Sequence, residues 1–243
     1  MRSNKSFTAP TTGELMVLIV IPVIFIALLP LAISLAERRD KQIKDLLNAR
    51  QIGFALKNFA VDHDRAFPNR EPAADYTSAD DVTDGNKSND AFWWLFPTYL
   101  TREDIFTVRG SNWSPTPPDN KLDAAGSAER TDTLRQGECA YLYVTGLNDT
   151  SNPEFPLLAD AGTAENVTVY TNRQNEKGGV WRGKKAIILF VDGSGRIVSV
   201  DDRTDRKAAF VKRPRRNYNL FDNTAGTSAD PWLTPMNLIL APE

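Results

Sequence analysis

Residues 14–62 read ELMVLIVIPVIFIALLPLAISLAERRDKQIKDLLNARQIGFALKNFAVD, and this stretch decides the architecture. From Leu15 to Ala36 it carries no charge, and Ser34 is its only polar side chain. A helix of roughly 20 apolar residues crosses a bilayer, so the segment predicts a membrane-spanning helix. Core helices of soluble proteins are seldom apolar all round over such a length. A secretory signal has a shorter apolar core and a small-residue exit, whereas Ala36 runs into the charged ERRDKQIKDLLNAR. Pro22 and Pro30 lie inside the span; each removes a backbone hydrogen bond and predicts a kink.

Beyond the span, Ile43, Leu46, Leu47, Ile52, Phe54, Leu56 and Phe59 recur at three- and four-residue steps, with some drift. That spacing predicts that the helix continues as an amphipathic one, with Gly53 as a weak point and Pro68 as its stop. Four segments follow: a leader over 1–13, a transmembrane helix over 14–36, an amphipathic continuation over 37–67 and a globular domain over 68–243. A continuous helix from about Glu14 to Asp62 would be on the order of 70 Å long.

Working outward, residues 68–89 and 111–129 are polar, acidic and punctuated by Pro and Gly, and read as loops. AFWWLFPTYLTRED (91–104) predicts a short helix or turn that plugs Phe92, Trp93, Leu95 and Phe96 into a core. Strands are expected at 140–144, 155–159, 167–171, 186–191 and 196–200. The last two flank Asp192, Gly193, Ser194 and Gly195, a strong hairpin-turn signal. A further short segment falls within 232–240. The fold class is therefore α+β: a long amino-terminal helix, half transmembrane and half amphipathic, packed on a small antiparallel sheet.

Composition removes several functions. Among 243 residues, Lys and Arg number 29 and Asp and Glu 31, a net charge of −2 that argues against a nucleic-acid partner. One Cys excludes a disulfide framework and a multi-Cys zinc site, and one His excludes a two-His metal motif. His63, in Asp62-His63-Asp64, reads as a turn residue, and Gly178-Gly179 is too little for a phosphate cradle. Asp192, Asp201 and Asp202 near Ser194 offer oxygens to calcium, but their spacing matches no calcium motif and a solvated hairpin is the simpler reading. Lys212 to Arg216 reads as a solvated basic loop, with an anionic-lipid or partner contact as the alternative. No catalytic set, cofactor or metal site is expected, and the chain reads as a non-enzyme.

In order along residues 1–200, the chain resembles the type IV pilin and type II secretion pseudopilin superfamily, in its group with a prepilin-type amino-terminal methylation segment. The resemblance rests on MRSNKSFT followed by ELMVLIVI and ALLPLA, on ARQIGFALKNFAVDHDRAFP, on AFWWLFPTYLTREDIF, on ECAYLYVTGL with PLLADAG, and on AIILFVDGSGRIV. It implies a pilin-like fold and a bacterial inner-membrane, single-pass protein. The leader would be cytoplasmic and the globular domain periplasmic or otherwise extracytoplasmic. It also implies partners: membrane lipid, other pilin-like subunits and a prepilin peptidase. Glu14 would match the family's acidic residue near the helix start, and Pro30 its internal proline.

The processing site departs from the family pattern of Gly followed by an aromatic residue, with Glu at the fifth mature position. If Glu14 is fifth, cleavage falls between Ala9 and Pro10; if Gly13 is the cleavage residue, Glu14 itself is first. Glu14 either pairs with a neighbouring subunit's terminal amine or caps the helix start after Thr11 or Thr12. Two functional readings follow. One is a structural subunit or minor component of a type II secretion or type IV pilus-like fibre, acting by helix–helix assembly. The other is an uncleaved, membrane-anchored binding module with the same fold that does not polymerise.

Overall fold

The computed structural model describes residues 12–69, 87–127, 129–200, 209–214, 218–224 and 232–243. The expected cleavage residues Ala9 and Pro10 lie outside these, as does the acidic stretch from Glu71 to Gly85. The chain divides into two compact units, one up to Lys41 and one from Gln42 to Glu243.

α1 (Thr12–Asp62) begins in the first unit and stays helical through both Pro22 and Pro30. One helix near the amino terminus is thus long and apolar enough to cross a membrane, and its most apolar window is not buried against protein. In such a helix the backbone satisfies its own hydrogen bonds, which lipid requires, except at the carbonyls of Leu18 and Ile26, which Pro22 and Pro30 leave without their helical donor.

In the second unit, α1 ends at Asp62, where the continuous helix was expected to end, so the amphipathic segment bounded at 37–67 finishes in non-helical residues. Three turn residues follow, and Asp64 (φ 47°) and Arg65 (φ 70°) adopt left-handed backbone. The Arg65 N–H reaches back to the Ala60 carbonyl at 2.7 Å, closing the helix end before Pro68 is met. His63 is a turn residue as expected, with its ring stacked 3.7 Å from that of Phe59.

Five strands form one sheet: β1 (Tyr141–Val144), β2 (Pro156–Asp160), β4 (Lys185–Phe190), β5 (Gly195–Ser199) and β7 (Ile239–Leu240). Their order is β5-β4-β2-β1-β7, and each neighbouring pair is antiparallel. Four lie within a residue of their expected spans. The expected strand at 167–171 shrinks to β3 (Val169–Tyr170), which leaves the main sheet and pairs with β6 (Ala209–Phe210). Every residue of β1 and β2 is buried, so this centre is covered on both faces.

The second half of α1 covers one face: the Tyr141 hydroxyl donates to the Asp45 carbonyl at 3.1 Å, and Gly53 sits on Leu189 of β4. The β4–β5 turn also abuts the helix. A Cβ added at Gly195 would stand 2.8 Å from Leu46 Cδ1 and 3.1 Å from Arg50 Cγ, so a larger residue there would require these helix side chains to shift.

The aromatic segment begins earlier than expected. α2 spans Ser88–Trp93, and Asp104–Phe106 add one 3-10 turn. Phe92 and Leu95 are fully buried, with the Phe92 ring 5.0 Å from Phe106 and 5.1 Å from Tyr143. Trp93 and Phe96 are only half-buried. The Ser88 N–H donates to the Ala241 carbonyl and its hydroxyl to that of Tyr141, so α2 fastens the chain's last strand to the sheet. In the basic segment, Arg213 is buried with its guanidinium 4.1 Å over the Trp232 ring, where a solvated loop was expected.

Candidate functional site: an exposed apolar helix face

At 100° per residue, Ile52, Leu56 and Phe59 share one side of α1, and Ile43, Leu47, Phe54 and Val61 fall on the opposite side. The structure bears out this division and explains the drift in the sequence pattern. Ile52, Leu56 and Phe59 are buried under the helix. Ile43 is 52% exposed, Leu47 49%, Phe54 68% and Val61 78%. The seven residues taken as one amphipathic face are therefore two faces, and Ile43, Leu47 and Phe54 do not contribute to the core.

Apart from Tyr218, Met236 and Leu238, the exposed large apolar side chains among the described residues all lie on α1. They comprise the unit-one residues between Met16 and Leu35, and the outer face of the helix in unit two. Leu47, Phe54 and Val61 are seven residues apart, and the exposed Gln51 and Asn58 fall between them at four-residue steps. Leu47-Gln51-Phe54-Asn58-Val61 is thus a 4-3 seam of alternating apolar and amide side chains. Such spacing suits another helix packed lengthwise, and a polar residue in a seam fixes register and partner number. From Ile43 to Val61 the stripe is about 27 Å long. No ionised group is needed in it; association there would come from removing apolar surface from water.

The residues singled out for processing are placed as follows. Gly13 and Glu14 lie in the first turn of α1, and a Cβ at Gly13 would meet nothing within 4 Å. Pro22 and Pro30 lie within the apolar helix. Asp192 to Gly195 form the hairpin turn: the Phe190 N–H donates to Ser194 O at 3.0 Å, and Asp192 Oδ1 accepts the Ser194 N–H at 2.7 Å. Asp192 is thereby committed to its own turn, and Asp201 and Asp202 lie outside the described residues.

The groups with displaced ionisation are elsewhere. Burial pushes the Asp160 carboxyl up to about 8; neighbouring Asp45 adds to the rise, against an N–H donated by Ile187. Burial also raises the Tyr141 and Tyr170 hydroxyls well above their ordinary range. Cys139 is fully buried and pushed up to about 11, which keeps it a thiol rather than a nucleophile at neutral pH. An open polar cavity of about 450 Å³ is lined by Thr163 to Glu165, Thr171, Arg173, Glu176 and Lys177. Three of its four charges are engaged, since Arg173 pairs with Glu176 at 2.8 Å and the Lys177 ammonium stands 3.7 Å over the Trp113 ring, while Glu165 is exposed.

Comparison of the chain with protein-family models, with curated proteins and with solved structures finds no match. The seam was hidden in the sequence because Phe54 and Leu47 look like core residues; a helical projection that separates them from Ile52 was the signal available.

Proposed function

We propose that the chain is a membrane-anchored, pilin-like structural subunit that assembles with other such helices, in a pseudopilus or type IV pilus-like fibre of a bacterial inner membrane. The observation that carries this reading is the outer face of α1, where Leu47, Phe54 and Val61 remain exposed on a folded domain. The uncharged helix from Leu15 to Ala36 supports membrane anchoring. The order of sequence segments, from basic leader to Asp-Gly hairpin, supports the family reading. On that reading the leader faces the cytoplasm and the domain lies outside it. Burying an exposed Phe or Val side chain contributes at most roughly 1.5–3 kcal/mol, so three or four such positions offset a substantial part of the about 4–15 kcal/mol that association costs.

The test is cysteine cross-linking in the membranes of a host that carries a prepilin peptidase. The sole native cysteine, Cys139, is fully buried, so it gives little background. Phe54→Cys and Val61→Cys are expected to form a ladder of cross-linked species, and Arg182→Cys on an exposed turn is expected to stay monomeric. Monomers at all three positions would refute assembly through this face. The second reading, an uncleaved tether for another protein, is favoured by Ala9-Pro10 at the place of the usual Gly-aromatic pair. The intact mass of the extracted chain separates the two: loss of the leader goes with assembly, and an amino terminus at Met1 or Arg2 goes with the tether.

A further inference from the structure

Away from α1, three carboxylates meet in the long connections that precede β1. One oxygen each of Glu103, Asp119 and Glu138 lies within 4.8 Å of the others. Glu103 is 0% exposed and Glu138 3%, and Asp119 forms the exposed rim. Glu103 Oε1 accepts the Leu134 N–H, but its Oε2 is buried with no hydrogen-bond partner. An unmatched buried carboxylate oxygen is costly and calls for a counter-charge or a proton. Glu138 Oε2 accepts the Arg135 N–H, and Asp119 Oδ1 that of Lys121.

The cations nearby are turned to the rim. The Arg135 guanidinium reaches Asp119 at 2.9 Å and Asp132 at 2.8 Å, and the Lys121 ammonium stands 3.4 Å from Asp119. Among the described residues, neither pairs with Glu103 or Glu138 through its charged group. With Asp132, the four carboxylates exceed these two cations by two negative charges.

We propose that Glu103, Asp119 and Glu138 form a site for one divalent cation, and that Ca²⁺ is the ion it fits. All three donors are hard oxygens, with no nitrogen or sulfur ligand among them. Oxygens about 2.4 Å from a shared Ca²⁺ lie at most about twice that distance apart, and the three carboxylate oxygens fall within that outer limit. Mg²⁺ holds a tight octahedron and keeps several waters, a poor match to two buried carboxylates from separate segments. The ion would neutralise the excess charge and give Glu103 Oε2 a partner. It would also lock the loop around Asn120, whose Oδ1 already accepts the Glu103 N–H, to the segment around Leu134. This site is independent of the helix seam and of the Asp192 turn.

The test uses the full chain in mild detergent, stripped with EDTA and titrated with CaCl₂ by calorimetry, with melting followed in parallel. One saturable site is expected, with a dissociation constant no weaker than roughly 1 mM, and a melting midpoint that rises with Ca²⁺. Glu103→Gln and Glu138→Gln keep the side-chain shape and are each expected to weaken Ca²⁺ binding at least tenfold. If Glu103→Gln does not fold, Glu138→Gln and Asp119→Asn decide. No saturable binding at millimolar Ca²⁺ would overturn the proposal. So would binding that is unchanged in the folded variants, which would place the ion elsewhere. A wild-type chain indifferent to Ca²⁺, with Glu103→Gln more stable than it, would show that Glu103 is satisfied by a proton instead.

Discussion

Replacing Gly53 by alanine pits two local effects against each other, and the structure decides their sum. In an exposed helix interior, Gly→Ala stabilises by about 1 kcal/mol, because alanine has less backbone entropy to lose. At Gly53 the new Cβ would stand 2.6 Å from Leu189 Cδ2 and 3.1 Å from Cδ1. Carbon atoms in contact prefer about 3.5–4.0 Å, so the Leu189 side chain must retreat by about an ångström. It has little room: Leu189 is fully buried on β4, opposite Leu158 on β2 and Gly195 on β5. Overpacking of this kind costs typically 1–3 kcal/mol. The net expectation is a destabilisation of about 1 kcal/mol, opposite in sign to the propensity effect. Leu189→Ala alone should cost about 2–5 kcal/mol through the cavity it leaves. In the double variant the two methyl groups no longer collide and the propensity gain returns, so the pair should be less destabilised than the sum by at least about 1 kcal/mol. Denaturant unfolding of the full chain in mild detergent, followed by near-ultraviolet circular dichroism, measures all three. A Gly53→Ala chain that is stabilised by about 1 kcal/mol, or additivity in the double variant, would refute close packing of α1 on β4.

Asp160 holds its proton more tightly folded, at about 8, than an unfolded aspartic acid does. The stability this confers is complete below about pH 4 and is lost as pH rises towards 8. Asp160→Asn should therefore gain on the wild type steadily across that window, by several kcal/mol at most, as read from unfolding midpoints at pH 5 and 8; a pH-independent difference would contradict it. Arg130 donates to Asp90 at 2.8 Å, to Glu243 at 2.6 Å and to the Leu134 carbonyl at 2.6 Å, and so holds the end of the chain against α2. Arg130→Met should cost about 1–3 kcal/mol, and Arg130→Lys should restore little of it, because one ammonium cannot reproduce the fork; hydrogen exchange should rise at β7 in both. Phe54→Ser, on the exposed seam, should change stability by less than about 0.5 kcal/mol while reducing cross-linking at Val61→Cys; a large loss of stability would mean Phe54 is packed within its own chain.

Residues that act through local pattern were legible in advance. The hairpin at Asp192 to Gly195 came from a turn signal between two β-rich runs, and its register, Ile187 opposite Ile197, follows from the short connection. Periodicity placed the helix but mis-sorted its side chains: Phe54 and Leu47 have core chemistry and lie outside, and Asp45 and Asn48 have surface chemistry and lie buried. Gly53 read as a weak point in the helix and turned out to lie where the helix packs tightly on Leu189 of the sheet.

Local pattern along the chain specified the uncharged membrane-length helix, its helical extension, and the α+β class with its central strands. Each depends on residues within a few positions of one another, where spacing and turn chemistry act directly. Long-range packing set β7 against β1, drew β3 out of the main sheet to β6, and brought Glu103 to Asp119 and Glu138. It also decided which face of α1 stays exposed. These pairings join parts of the chain that are far apart in sequence, and such contacts are selected by what the whole core can bury, a property that no single stretch of residues carries.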